Sequence, residues 1–518
     1  MNTTDFLNIA VSICPERAAI VFEGKRCTFS QLNERANRLA NALLDLGVSK
    51  GDRVAMLQVN CHQHLETYFT AAKLGAIYVP LNFRAKGDEL IYMLNSSEAN
   101  TLFVGDRYVD LVNSMKPGLS SAQHFISIES QREDMLYYED MLASASAEEV
   151  LAEIDDDDTT ILVYTAGTTG FPKGVMLSHN SFAIFALENV TPADPDLEEK
   201  NILTVPLYHV AGLQAMMAAV YGGRTLVMER QFEAREWMEL VAREKANRAM
   251  LVPTMLKQLL DHPDFGKFDL SSLKVITYGA APMPLEVIKR ALDVFPGVSF
   301  INAFGQTETA STITTLRPED HFISGSEEER EKKLKRLTSI GRPMSDVEMK
   351  VVAEDGGELP QGEVGEIIAR GPRVMTGYWK DEEKTKQAID KDGWVHTGDM
   401  GYVDEDGYFY LAGRATDIII RAGENIAPEE IEAVLYSHPK VDEAAVIGVP
   451  DEEWGELPRA IVVVKPGETA TAEEIMEHCR QKLASYKRPR SVVFIDELPR
   501  NPVGKVLRRV LREQYGKA

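Results

Sequence analysis

The residues best suited to chemistry in this chain form one short run, Tyr164-Thr165-Ala166-Gly167-Thr168-Thr169-Gly170-Phe171-Pro172-Lys173-Gly174. Its three glycines let the backbone turn its N–H groups inward. The hydroxyls of Thr165, Thr168 and Thr169 can donate to phosphate oxygens, and Lys173 adds a positive charge. A polyphosphate is the ligand such a loop would take. It is not a Walker A loop, because Gly174 rather than serine or threonine follows the lysine. The competing reading is a glycine-rich turn without a ligand, which is the better reading of a lone Gly-x-Gly-x-x-Gly.

The elements that must hold this loop alternate along the chain. Leu32, Ala36, Leu39, Leu43 and Leu46 have helical spacing over 29–47, with Thr28 or Ser30 as N-cap and Gly47 as the stop. Short apolar runs at 54–59, 77–81, 101–104, 161–164, 203–206 and 275–278 read as strands, and helical patterns fall at 235–245 and 284–295. This alternation is the α/β signature. Two charged stretches, 155–158 and 318–335, read as exposed linkers or loops. After Gly413 the pattern restarts with a short strand, a helix around 428–437, a strand at 444–449 and a basic final segment. A large domain over 1–413, a hinge at 414–417 and a small domain over 418–518 follow from that restart.

Length and charge narrow the function. A chain of 518 residues with 44% hydrophobic residues is longer than one core usually serves, so two or more domains are expected. The 80 acidic residues exceed the 56 basic ones, giving a net charge of −24 that repels nucleic acid and anionic membrane. A small-molecule partner is expected. Cys14, Cys27, Cys61 and Cys479 lack metal-site or disulfide-framework spacing. No secretory signal, membrane-length apolar run or peroxisomal terminus is present, and a reducing cytoplasm fits.

The loop closely resembles the signature of the adenylate-forming family, which includes acyl- and aryl-CoA synthetases (AMP-dependent synthetases and ligases), peptide-synthetase adenylation domains and beetle luciferases. Further motifs occur in that family's order: Phe29-Ser30-Gln31-Leu32, Leu74 to Leu81, Asn302-Ala303-Phe304-Gly305-Gln306-Thr307-Glu308, Thr397-Gly398-Asp399, Gly413 to Glu432, and Pro499 to Lys505. The resemblance implies an α/β large domain with a small mobile C-terminal α+β domain. It also implies roles. Thr165, Gly167, Thr168, Thr169, Gly170 and Lys173 would hold phosphate, Asn302, Phe304 and Gly305 would lie against adenine, and Thr307 would touch the α-phosphate. Glu308, with Thr165, would hold Mg²⁺, Asp399 would accept both ribose hydroxyls, and Arg414 would contact AMP. Two departures stand out: Ala166 replaces the family's usual serine, and Thr416 occupies the pivot where Asp or Lys is common.

The same resemblance makes Lys505 the cation that bridges acid and phosphate, makes Gly423 a wall of the pantetheine channel, and puts the residues around His209 and Gly279-Ala280-Ala281 in the acid pocket. His209 would close the pocket or orient the acid. A tryptophan of acetate-specific relatives falls at Gly305, so the volume left there implies an acid larger than propionate. The small lining residues Ala211, Gly212, Ala280 and Ala281 with Met283 suggest an apolar one: a medium or long fatty acid, or an alicyclic or aromatic one. From Lys482 onward ten Lys/Arg face three Asp/Glu, which suits coenzyme A phosphates or is simply a solvated face. The expected function is therefore an ATP-, Mg²⁺- and coenzyme A-dependent acid–thiol ligase, with a homodimer as one assembly it allows. Rivals are an acyl-AMP ligase, an enzyme loading a carrier protein, a luciferase-like oxygenase, and a nucleotide-binding protein without catalysis.

Overall fold

The computed structural model describes residues 2–150, 152–165, 172–414, 417–421, 424–451, 454–501 and 504–517. The α/β expectation is met: sheets of nine and eight strands form the large part, followed by a four-stranded antiparallel sheet and a five-stranded one nearer the C-terminus. Among the described residues no helix is long and apolar enough to cross a membrane.

In the eight-stranded sheet, Arg53–Leu57 lies between Ile77–Pro80 and Thr101–Val104, all parallel. Parallel strands are covered on both faces, so both alternating sets of side chains must be apolar. Val54 and Met56 accordingly pack with the helix Phe29–Asp45, while Ala55 and Leu57 pack with Leu90, Met93 and Leu94 on the other side. The helix starts where Thr28 and Gln31 exchange side-chain-to-backbone hydrogen bonds at 2.9 and 3.2 Å, a reciprocal cap that satisfies two otherwise orphan N–H groups. It buries Leu32, Ala36, Leu39 and Leu43 on one stripe.

In the nine-stranded sheet, Lys200–Leu203, Arg248–Leu251, Val275–Gly279 and Ser299–Gln306 are consecutive parallel neighbours. Trp237, Leu256 and Ile288 from three covering helices share its core. The strand expected at 203–206 instead ends at Leu203. Pro206 has no N–H to give a ladder, and Asn60 takes over this stretch: its side chain donates to Val205 O at 3.2 Å and accepts from Leu207 N at 2.8 Å.

The charged stretch 318–335 is also not a loop. It contains a short 3-10 turn, Pro318–His321, and an exposed helix, Glu327–Arg336, capped by Ser326. Glutamates fill the first turn of that helix and Lys333, Lys335 and Arg336 its last, which complements the helix dipole. Asp320 and His321 are buried and bonded to Tyr408 and Tyr278 at 2.6 and 2.9 Å.

The C-terminal body is built on the long hairpin of Val441–Asp451 and Gly455–Val464. Val446, Ala460 and Val462 face one cluster with the helices Pro428–Tyr436 and Ala472–Lys482. Ala445, Ile447 and Ile461 face another with Leu511 of the final helix.

Two histidines in the large part are buried and held neutral. Burial pushes His64 and His179 down to about 4, whereas an unfolded histidine titrates near 6.5. The unfolded chain then binds these protons at a pH where the folded chain does not, so stability is full above pH ~6.5 and falls as pH drops toward 4. At pH 5 each histidine costs about 2 kcal/mol. His64→Gln should flatten the fall of unfolding free energy between pH 7 and 5 measured by urea denaturation; an unchanged slope would show that His64 is not the source.

Candidate functional site

Thr165 and Lys173 close the two ends of the glycine-rich loop. Strand Thr159–Thr165 pairs antiparallel with Lys173–Ser178, and Thr165 is in register with Lys173. The loop is thus a hairpin connection rather than the strand-to-helix turn of a Walker A site. Gly167, Thr168, Thr169 and Gly170, with Ala166, lie outside the described residues, as do Gly423 and the Ala415-Thr416 part of the expected hinge.

Glu308 arrives from the other sheet. Strand Ser299–Gln306 runs into a single 3-10 turn, Thr307–Thr309, where Gln306 N donates to Thr309 Oγ1 at 3.1 Å. Ala310 and Ser311 then take φ of +48° and +90° to reverse the chain. Left-handed backbone costs a non-glycine residue on the order of 1 kcal/mol or more, so this turn persists because the surrounding packing and hydrogen bonds hold it against that cost. Tyr378 was not singled out by the sequence, yet its hydroxyl donates to Glu308 Oε1 at 2.9 Å and its ring centroid lies 4.7 Å from Lys173 Nζ. Its Gly-Tyr-Trp setting has no periodicity that would have marked it.

Phe304 is half-buried and packs against the clusters of Ile313 and Val347 and of Ile340 and Ile367. Asn302 donates to Ser339 O at 3.3 Å. Gly305 sits at a bulge in the ladder, and a Cβ there would lie 1.5 Å from Ser311 O. The volume expected to be open at Gly305 is therefore filled by a neighbouring carbonyl, and this glycine reflects close backbone approach, not the size of the acid. Gly279 is similar, its virtual Cβ 2.0 Å from Ala303 O. Ala280, exposed, has φ +66°, and Ala281 follows it, partly exposed.

The four-stranded sheet supplies Asp399 and Arg414 from paired strands, Val395–Val403 and Phe409–Arg414, in direct register. Arg414 Nε lies 2.7 Å from Asp399 Oδ1, and its Nη1 donates to Thr397 O at 2.7 Å. Asp399 is buried, and burial raises its carboxyl above the ordinary range while Arg414 and Lys505 pull it back. Lys505 comes from the C-terminal body. Its N–H donates to Asn501 Oδ1 at 2.8 Å. Burial and then Arg414 depress its ammonium, and Asp399 opposes them. The body carrying Lys505 is tied to the large part by Lys257 and Asp442, 2.7 Å apart.

His209 precedes the helix Val210–Tyr221. Its ring centroid lies 4.3 Å from that of Tyr208 with the planes tilted by 39°, and Nε2 is buried without a hydrogen-bond partner among the described residues. Burial, then Arg84, pushes its pKa down to about 3, so it is a neutral imidazole at pH 7. It can orient a polar group but is a poor base. Among the described residues no three His, Cys, Asp or Glu form a cluster able to hold a metal ion. A cation bound here would have one carboxylate, Glu308, with Thr165 and phosphate oxygens, a donor set that suits Mg²⁺, which keeps much of its water.

Comparisons with known proteins give the family. A profile of the AMP-binding enzyme family matches residues 9–379, and a profile of the AMP-binding enzyme C-terminal domain matches 430–505. A fatty acid–[acyl-carrier-protein] ligase, ScoC of Streptomyces coeruleorubidus, is 35% identical over 97% of this chain and 94% of its own. The long-chain-fatty-acid–CoA ligase FadD13 of Mycobacterium tuberculosis is 35% identical over 95% of this chain and 93% of its own. The crystal structure of the anthranilate CoA ligase AuaEII with anthranoyl-AMP superposes with a TM-score of 0.90 at 28% identity, covering 100% of this chain and 97% of that one. The two profiles together span most of the chain, and the chain belongs to the AMP-binding enzyme family.

Proposed function

We propose that this protein is an ATP-dependent carboxylic acid–CoA ligase that forms an acyl-adenylate and then a thioester. The observation that carries the reading is Lys505 lying in the field of Asp399 and Arg414 although it belongs to a separate body. A desolvated ammonium beside a second cation is poorly compensated, so binding of an anionic acid and nucleotide there is favourable. In the first step a carboxylate oxygen attacks the α-phosphorus of ATP, and the α–β bond breaks to release pyrophosphate. Like charges approach in that step, and fixed cations lower its barrier most. Lys505 bridges the acid and the α-phosphate, Lys173 and the loop hydroxyls hold the outer phosphates, Thr307 donates to the α-phosphate, and Phe304 lies against adenine. Asp399 accepts from the ribose hydroxyls, and Arg414 keeps it oriented. Glu308 and Thr165 would hold Mg²⁺, which supplies further charge neutralisation at the phosphates. In the second step a thiol gives up its proton, its sulfur attacks the acyl carbonyl, and AMP leaves.

Coenzyme A is favoured as the acceptor. Trp454 and Tyr486 are partly exposed, at 39% and 36%, and both adjoin Arg421, which lies 5.0 Å from the Trp454 ring and donates to Tyr486 O at 2.7 Å. Lys487 lies 5.4 Å from the Tyr486 ring. Aromatic faces beside cations suit a purine and its phosphates. A carrier protein is the second reading, supported by the likeness to a carrier-protein ligase. From the likeness to ligases of long-chain fatty acids and anthranilate, rather than from Gly305, we propose an apolar acid larger than propionate, oriented by His209, with Mg²⁺ as the metal and the cytoplasm as the site of action. Arg84, the one charged residue that perturbs His209, makes dicarboxylates worth including. Incubation with ATP, Mg²⁺ and a panel of fatty, aromatic, alicyclic and dicarboxylic acids, with CoA or a phosphopantetheinylated carrier as acceptor, tests this. AMP and acyl-CoA rising together support it; acylated carrier without acyl-CoA overturns the choice of acceptor.

Two variants test the assigned roles. Lys505→Ala should lower acid-dependent ATP–pyrophosphate exchange by about 10²-fold or more, the scale of one lost electrostatic contact, while leaving thioester formation from synthetic acyl-AMP within a few fold. Equal loss in both half-reactions would reject a role confined to adenylation. Asp399→Asn should weaken ATP binding by roughly ten-fold, because an amide has one accepting oxygen where the carboxylate has two; calorimetric titration showing unchanged affinity would reject the ribose assignment.

A further inference from the structure

Lys173 and Glu308 belong to different sheets, and nothing within either sheet fixes the distance between them. Lys173 begins a strand of the eight-stranded sheet; Glu308 lies in the turn after a strand of the nine-stranded one. The segment from Met375 to Trp379 spans the gap. Met375 N donates to Glu308 O at 2.9 Å. Thr376 N and Trp379 N donate to Met176 O and Gly174 O at 3.0 and 2.7 Å, and Tyr378 is in register with Val175. Thr385 Oγ1 accepts from Tyr378 N at 2.9 Å. The backbone of Tyr378 is thus locked to the strand that carries Lys173, and its neighbour Met375 is locked to the turn that carries Glu308.

The side chain completes the bridge. Tyr378 is 6% exposed, its hydroxyl donates to Glu308 Oε1, and its ring carries Lys173 Nζ. Burial, reinforced by Glu308, holds the phenol well above its ordinary pKa, so it remains a donor. The arrangement has a physical purpose. A lysine and a glutamate facing one phosphate site would otherwise attract each other into a contact ion pair, which the incoming nucleotide would have to break. An aromatic face holds a cation without neutralising it, and a phenol holds a carboxylate without removing its charge.

We infer that Tyr378 is a positioning residue of the nucleotide site: its ring holds Lys173 for phosphate and its hydroxyl holds Glu308 for the metal, keeping the two opposite charges apart. This rests on the ATP-using reading above. The hydroxyl and the ring make separable contributions, so two variants of the full chain separate them. Tyr378→Phe keeps the ring and the strand pairing and loses only the donor. Tyr378→Leu loses both. Manganese binding to the enzyme–ATP complex, followed by electron paramagnetic resonance, reads the metal without turnover, and calorimetric ATP titration in EDTA reads Lys173 without metal.

For Tyr378→Phe we expect manganese affinity to fall about ten-fold, the scale seen when a partner of a metal ligand is removed, with metal-free ATP affinity within two-fold. Pyrophosphate exchange should require about ten-fold more Mg²⁺ for half-saturation yet reach the wild-type rate at saturation, a split that general loosening of the fold would not produce. Tyr378→Leu should in addition lose about three-fold in metal-free ATP affinity. Wild-type manganese affinity and Mg²⁺ dependence in Tyr378→Phe would overturn the hydroxyl's role, and wild-type metal-free ATP affinity in Tyr378→Leu would overturn the ring's. If the wild type binds Mn²⁺–ATP but exchanges no pyrophosphate with any acid, the ligase reading fails while the binding shifts still decide Tyr378. If the wild type binds no ATP, both fall.

Discussion

The ion pair between Asp399 and Arg414 is the contact on which the rest of the site depends. It joins two registered strands at the far edge of the four-stranded sheet, and Arg414 is the last residue of that sheet before the chain passes to the C-terminal body. Its carbonyl then accepts from Asp417 N and Ile418 N at 2.8 and 3.0 Å. The residue that orients the buried carboxylate therefore also sets the direction in which the next body departs. A buried ion pair contributes little net stability, but removing one partner costs about 3–5 kcal/mol because the other charge is left uncompensated. Such a pair is better understood as fixing geometry than as supplying stability.

The C-terminal body is anchored just beyond this point by charge. Arg508 lies 2.8 Å from both Glu429 and Glu432, and Arg512 lies 2.8 Å from Asp417. Glu432 also accepts from Val446 N at 2.7 Å, which links the cluster to the central hairpin. Burial raises the Glu432 carboxyl and Arg508 opposes that shift. The final helix, the helix Pro428–Tyr436 and Asp417 are therefore tied together, so the turn that carries Lys505 is referred back to the end of the four-stranded sheet. Across the interface, Lys257 and Asp442 form a partly exposed pair at 2.7 Å. Exposed pairs are worth about 0–1 kcal/mol, so this pair adds little to the stability of the arrangement.

The large part arranges its charges differently. Lys173, Glu308 and Tyr378 come from three segments, and the left-handed Ala310 and Ser311 add strain beside them. Strain, like a desolvated lysine, persists only where the surrounding packing over-determines it. Here the surrounding packing is two sheets whose inner strands are buried on both faces. The rigidity of the sheets makes the strain tolerable, and the packing fixes the turn.

Much of this was legible in the sequence, for reasons that are local. The capping box at Thr28, the helical stripe through Leu39, the apolar runs of the parallel strands and the glycine-rich loop all follow from periodicity, capping and backbone freedom over a few residues, and the motif order led to the family. What failed turned mostly on contacts that a local pattern does not carry. The stretch 203–206 is apolar enough for a strand, but Asn60, distant in sequence, claims its backbone. The 318–335 run is charged enough for a loop, but its charges are ordered along a helix dipole and Asp320 and His321 are buried. Gly305 could be read as an open volume only because the carbonyl that fills it, Ser311 O, cannot be read from the chain. The sequence by itself determined most of the elements and, through the order of the motifs, the family, and it singled out Lys173, Glu308, Asp399 and Lys505 as candidates. Only the tertiary structure decided that Arg414 turns onto Asp399, that Lys505 falls within their field and that Tyr378 stands between Lys173 and Glu308. Those distances depend on how separate sheets pack, and no spacing along the chain encodes them.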